Sequence, residues 1–230
     1  MLFRSIQPDD ADAWFNRGYS LQDLGKHEEA IASYDKALEI KPDYALAWNN
    51  RGNSLQNLGK HEEAIASYDK ALEIQPDDAY AWNNRGNSLQ NLGKHEEAIA
   101  NYDKALQIQP DYANAWTGRG ISLRKLNHYQ DSIDSYDKAL QIDSNDAVCW
   151  SNRGNVLRDL KRYKESIASF DKALQIQPDD ANVWNNRGYS LEILVRYEEA
   201  LKNYDKAIEL DPNHKLASNN RKQILKKLGK

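Results

Sequence analysis

The twenty residues Ala81–Ala100 also occur, letter for letter, at Ala47–Ala66, and the offset of 34 residues runs through the chain. Trp14, Trp48, Trp82, Trp116, Trp150 and Trp184 are each 34 apart, and so are Gly18, Gly52, Gly86, Gly120, Gly154 and Gly188. A fixed period of this size calls for stacked copies of one supersecondary unit rather than one globular core.

The third copy shows what the unit is. In Ala79–Leu92, Trp82, Gly86, Leu89 and Leu92 recur at helical spacing. In Glu96–Ile108, Ala98, Ile99, Tyr102, Ala105 and Leu106 do the same. Gly93 separates the two helices, Pro110 stops the second, and Asp111 is placed to cap the next. Gly86 and Ala98 are small where the helices must cross, and Trp82 and Tyr102 fill space elsewhere. The unit is an antiparallel helix pair with an apolar face that it cannot bury alone.

Trp82, Gly86, Ala98, Tyr102, Ala105 and Pro110 match the signature positions of the tetratricopeptide repeat (TPR), and the unit resembles that family over nearly the whole chain. Two departures recur. Arg85 and its copies replace the usual leucine before the glycine, and Leu89 replaces the usual tyrosine after it. The resemblance implies an all-α, right-handed superhelical solenoid of antiparallel helix pairs. Six units are expected at 11–44, 45–78, 79–112, 113–146, 147–180 and 181–214, with a solvating, capping helix at 215–230. Residues 1–10 read as the remnant of a preceding repeat, because Ile6-Gln7-Pro8-Asp9-Asp10 repeats Ile74–Asp78 in phase.

Charge narrows the function classes. The net charge is −4, so no general nucleic-acid-binding field is expected. Lys215–Lys230 holds six Lys or Arg and no acid, which leaves 25 basic and 35 acidic residues elsewhere, a net of −10. Mean hydropathy is low, at −0.88, but the strict periodicity and the tryptophans point to order. One cysteine, Cys149, excludes an internal disulfide framework. With neither a signal peptide nor a membrane span legible, a cytoplasmic protein is expected.

Later repeats diverge. Asn127, Lys161 and Val195 stand where Gly25, Gly59 and Gly93 end the first helix. In the seventh first helix, Ser218 takes the tryptophan position and Lys222 the glycine position, so no second helix can cross there. Leu216, Ile224, Leu225 and Leu228 offer it an apolar stripe.

Constellations for catalysis or metal binding fail on geometry. His27, His61 and His95 recur once per repeat, so they lie about one helix-packing distance of 8–10 Å or more apart. Metal ligands must converge to about 2 Å from one ion. The pairs Glu28-Glu29, Glu62-Glu63 and Glu96-Glu97 suit helix N-termini, and adjacent residues point different ways. No catalytic residue and no cofactor is expected, and the chain reads as a non-enzyme.

The arginine series Arg17, Arg51, Arg85, Arg119, Arg153, Arg187 and Arg221 sits one residue before the crossing position, so its stems are partly covered. Covered guanidinium groups need acceptors, and an Asp follows eighteen residues later in each complete repeat, from Asp35 to Asp205. An internal ladder is expected; the alternative is a basic stripe that reads phosphates.

The other stripe of each first helix is the binding candidate. In repeat two it holds Leu46, Asn49, Asn53, Gln56 and Asn57, and in repeat three Tyr80, Asn83, Asn87, Gln90 and Asn91. By resemblance to the family, these residues line a concave groove. Asn50, Asn84, Asn152 and Asn186 add a ladder similar to the asparagines that hold peptide backbone in the O-linked N-acetylglucosamine transferase. Arg124, Lys125 and Arg158 make the stripe basic further along, and Tyr189 and Ile193 make it apolar. The lysines of the family's carboxylate clamp are absent: Phe15, Asn49, Asn83, Thr117, Ser151 and Asn185 stand there. The expected function is a scaffold that binds a peptide or protein segment in this groove. The alternatives are a self-assembling array, stacked head to tail, and a targeting module cut from a larger protein.

Overall fold

The computed structural model describes residues 9–229. Most of the remnant expected at residues 1–10, including Ile6, Gln7 and Pro8, lies outside the described residues, as does Lys230. Among the described residues there are thirteen helices and no strand. They are α1 (Ala11–Asp23), α2 (His27–Ile40), α3 (Ala45–Asn57), α4 (His61–Ile74), α5 (Ala79–Asn91), α6 (His95–Ile108) and α7 (Ala113–Lys125). Then follow α8 (Tyr129–Ile142), α9 (Ala147–Asp159), α10 (Tyr163–Ile176), α11 (Ala181–Ile193), α12 (Tyr197–Leu210) and α13 (Lys215–Lys227). The chain forms two compact units, Met1–Gly118 and Arg119–Lys230, which divide within α7.

Local chemistry sets the helix ends. At the end of α1, Lys26 N–H donates to Leu21 C=O and Gly25 N–H to Gln22 C=O, both at 2.9 Å. This closure needs a left-handed residue, and Gly25 supplies it at φ 72°. The second unit keeps the same turn without glycine: Asn127, Lys161 and Val195 adopt φ 60–62°. Val195 is β-branched and least suited to that region. Asp10, Asp78, Asp146 and Asp180 cap α1, α5, α9 and α11 through their carboxylates. The capping position is the residue directly before each helix. Tyr112, and not Asp111, therefore precedes α7, and Tyr44 in the same slot makes no side-chain cap bond to α3.

In the first unit the helix pairs close around a glycine and a ring. A Cβ on Gly52 would lie 2.5 Å from the Tyr68 ring, and one on Gly86 2.8 Å from the Tyr102 ring. Tyr34, Tyr68 and Tyr102 are fully buried there, and Leu55 and Leu89 pack in the place of the usual tyrosine. The tryptophans are only half-buried. Trp48 and Trp82 pin the preceding loop by donating Nε1–H to Pro42 C=O at 2.9 Å and Pro76 C=O at 2.8 Å. The second unit repeats the scheme with Gly120, Gly154 and Gly188 against Tyr136, Phe170 and Tyr204.

The arginines form an internal ladder, in a register different from that expected. Arg51 Nε donates to Asp35 Oδ1 and its Nη1 to Ser67 Oγ, both at 2.7 Å. Arg85 does the same with Asp69 at 2.6 Å and Asn101 at 3.0 Å. The acid lies sixteen residues before the arginine, in the preceding repeat, and not eighteen after it. Each guanidinium therefore ties together the second helices of two neighbouring repeats. In the second unit Arg153 bridges Asp137 and Ser169, and Arg187 bridges Asp171 and Asn203. Arg221 Nε reaches Asp205.

The last helix, α13, packs on α12 and α11. Ala217 and Ile224 are buried, and a buried isoleucine side chain contributes about 1.5–3 kcal/mol. Leu228 is half-buried against the same cluster. Leu216, expected in the apolar stripe, is 64% exposed, and Lys222 faces solvent. His214 caps the helix by accepting Ala217 N–H at Nδ1, 3.2 Å.

Candidate functional site

In the first unit the open faces of α3 and α5 are read off one helical row. They are Leu46, Asn50, Asn53 and Asn57 on α3, and Tyr80, Asn84, Asn87 and Asn91 on α5. Asn49 and Asn83, expected in the groove, are instead 8% and 3% exposed. One residue is about 100° of helix, and the position after the tryptophan turns into the contact between helices. The Oδ1 atoms of Asn49 and Asn83 are buried without a hydrogen-bond partner. Tyr80 is 57% exposed and meets Tyr112 edge to face, with ring centroids 5.1 Å apart.

The amides of this face are oriented from beneath. The Tyr68 hydroxyl lies 2.8 Å from Asn53 Oδ1 and 3.0 Å from Gln56 Oε1, and Asn84 Nδ2 donates to the same Asn53 Oδ1 at 3.0 Å. The Tyr102 hydroxyl donates to Asn87 Oδ1 at 2.8 Å. Burial pushes the pKa values of Tyr68 and Tyr102 well above the ordinary phenol range, so both stay protonated donors. With their oxygens engaged inward, Asn53 and Asn87 keep Nδ2–H2 to offer. Asn50 is the opposite: its Nδ2 donates to Leu46 C=O at 2.9 Å, which leaves Oδ1 as an acceptor. The face thus offers both N–H donors and a C=O acceptor, as the backbone of an extended chain requires.

In the second unit one cation of the basic stripe is neutralised by an acid. Arg124 Nε donates to Asp159 Oδ2 at 2.8 Å. Arg158 is half-buried and has no carboxylate within ion-pair distance among the described residues. Its Nη1 donates to Asn186 Oδ1 at 3.1 Å, and its guanidinium lies 5.8 Å from the Tyr189 ring centroid. Burial, helped by the neighbouring charge of Arg124, lowers the pKa of Arg158, and Asp159 opposes the shift. Asn186 is held in turn by Asn155 Oδ1 at 3.3 Å. Tyr189 and Ile193 are 40% and 42% exposed. Beyond them, Glu192 accepts from Lys227 Nζ at 2.7 Å and from the Tyr204 hydroxyl at 2.8 Å.

Sequence reasoning missed Asp159 and Lys227. Both follow the residue they pair with by 35 positions, a recurring offset that the sequence does contain. His27, His61 and His95 start second helices with buried Nδ1 atoms, and no group of three potential ligands gathers among the described residues. Cys149 is buried in the core. Among the described residues no helix is long and apolar enough to cross a membrane.

The periodicity and helix pairing agree with comparisons to known proteins. Residues 45–78, 79–112, 113–146 and 181–214 match the tetratricopeptide repeat model, and 18–59 and 154–192 match a second TPR repeat model. No curated protein matches the sequence. Among solved structures the chain is similar to YrrB, described as a TPR protein with an unusual peptide-binding site. The two are 28% identical over 82% of this chain and 97% of that one, with a TM-score of 0.69. The fold is also similar to PilF of Pseudomonas aeruginosa, at 20% identity, 93% and 97% coverage and a TM-score of 0.81. A chain of the APC/C hetero-tetramer Cut9–Hcn1 is 22% identical with a TM-score of 0.80; the match covers 95% of this chain and 43% of that one. On these matches the chain belongs to the tetratricopeptide repeat family, whose helical-repeat solenoids generally serve as protein-interaction scaffolds.

Proposed function

We propose that this chain is a non-catalytic scaffold that binds an extended peptide segment of a protein partner across the amide face of α3 and α5. The observation that carries the reading is the orientation of that face: buried tyrosine hydroxyls hold Asn53 and Asn87 with their N–H groups available, and Asn50 is turned the other way. Such preorganisation reduces the ordering cost of binding. The likeness to YrrB, a protein described as having a peptide-binding site, supports it. In this reading the array comprises six 34-residue units and a terminal cap. A head-to-tail stack of copies would need the α12 face that α13 already covers, which favours a peptide over a second copy. The single cysteine, buried in the core, fits a cytoplasmic setting.

The test uses Asn53→Asp with Asn87→Asp. Each substitution keeps an oxygen for the tyrosine hydroxyl and removes the outward N–H donor. Peptides selected from a random library on the wild-type chain should bind the double variant about tenfold more weakly or worse, since two hydrogen bonds are lost. Binding at full strength by a folded double variant contradicts the reading.

A further inference from the structure

Three consecutive repeats of the second unit carry a charge at the same position of the first helix, eight residues after the tryptophan: Arg124, Arg158 and Glu192. The first and third are each paired across to the next first helix, 35 residues on, as Arg124–Asp159 and Glu192–Lys227. In that register the partner of Arg158 is Ile193. The middle pair of the ladder therefore lacks its acid. Arg158 is left with a single neutral acceptor, Asn186 Oδ1, beside the exposed Tyr189 ring, and the exposed Ile193 follows one helical turn later on α11. A half-buried guanidinium bonded to one amide oxygen retains most of its five N–H donors, arranged as a fork that suits a carboxylate. Asn186 is fixed by Asn155, and Tyr189 covers the guanidinium, so the fork is already oriented.

The geometry points to Arg158 as a binding site for an acidic side chain of a bound peptide, with an adjacent apolar side chain of that peptide packing on Tyr189 and Ile193. The inference rests on the reading of this chain as a peptide-binding scaffold and adds a specificity carried by the second unit. The incoming carboxylate completes the missing rung, as Asp159 does for Arg124. A charge-assisted pair in a half-desolvated place is stronger than the same pair fully in water. Lys125, by contrast, is exposed and has no such surroundings.

The experiment pans a random peptide library, displayed on phage by the peptides' C-terminal ends, against the full chain. Terminal carboxylates are thereby excluded and only side-chain acids remain. Panning is repeated on Arg158→Gln, Ile193→Asp and Lys125→Gln, each checked for native helicity by circular dichroism. The Ile193→Asp variant supplies the missing acid from within the chain. The wild type and Lys125→Gln should enrich Asp or Glu beside an aliphatic or aromatic residue. Selected peptides should bind Arg158→Gln and Ile193→Asp about tenfold more weakly. Pools without an acidic preference overturn this inference and leave the peptide-binding reading standing. Acidic pools that bind both variants undiminished also overturn it. Failure to enrich any peptide overturns both.

Discussion

Tyr204 donates its hydroxyl to Glu192 Oε2 at 2.8 Å, from a fully buried ring to a carboxylate twelve residues earlier. The same twelve-residue relation joins Tyr34 to Gln22 and Tyr68 to Gln56. Where that earlier residue is Arg158, with no acceptor to offer, the ring is Phe170. Where it is Arg124, the ring is still tyrosine, and the Tyr136 hydroxyl is buried without a hydrogen-bond partner. The ring and the first-helix residue twelve positions before it are thus chemically coupled, and Tyr136 is the position where the match fails.

That coupling fixes the sign of three substitutions. Phe170→Tyr should destabilise by about 1–3 kcal/mol, the cost of burying a hydroxyl without an acceptor. Tyr136→Phe should be neutral or stabilising, while Tyr204→Phe should cost about 1 kcal/mol through its lost hydrogen bond. Urea denaturation of the three variants checks the order.

The left-handed turns give a second prediction. Val195 holds φ 62°, where Gly93 holds φ 76° in an earlier repeat. Val195→Gly should therefore raise stability by about 1 kcal/mol, and Gly93→Ala should lower it by a similar amount. No steric clash opposes either change, since nothing lies within 4 Å of a Cβ built on Gly93. Thermal melts of the two variants read the opposite signs.

A third prediction concerns the register of the arginine ladder. A double-mutant cycle on Arg85 and Asp69 should give a coupling of about 0.5–1 kcal/mol, modest because the acid is half exposed. The cycle on Arg85 and Asp103 should give none. Equal couplings would restore the pairing within one repeat. Arg85→Ala should leave binding to single-stranded RNA at background, because the guanidinium is engaged internally.

The tyrosines set the behaviour in alkali. Burial, then a hydrogen bond and the charge of Asp12, push Tyr44 up to about 12, and burial pushes Tyr112 up to about 12. A phenol whose pKa is raised by folding favours the folded state in its neutral form. That stability is complete below the unfolded value, about 10, and is lost as pH rises through the folded value. Unfolding free energies should therefore hold steady to about pH 9–10 and fall steeply between about pH 10 and 12. Tyr44→Phe should flatten part of that fall, as measured by urea titrations at each pH.

Most of the fold was legible because one period dictates it. Trp, Gly and Tyr recur in phase, so one unit's packing answers for all. The open face was harder to read. Asn49 and Asn50 are adjacent and chemically identical, yet one is buried and the other lies on the open side. A first helix such as α3 touches its own second helix, the preceding second helix and the neighbouring first helices, so its exposed arc is narrower than that of an ordinary amphipathic helix. The arginine partner was misplaced for a related reason. Every repeat carries the same Asp, so sequence alone does not say whether the near one lies ahead or behind.

The amide face itself is tested most directly by the side-chain NH2 resonances of Asn53 and Asn87 in the full chain. A library-selected peptide is titrated in while these signals and the backbone amides are followed by NMR. Both NH2 pairs should shift saturably with the peptide, together with backbone amides of α3 and α5. Saturable binding that leaves both pairs unmoved, with shifts confined to the second helices α4 and α6, would contradict it.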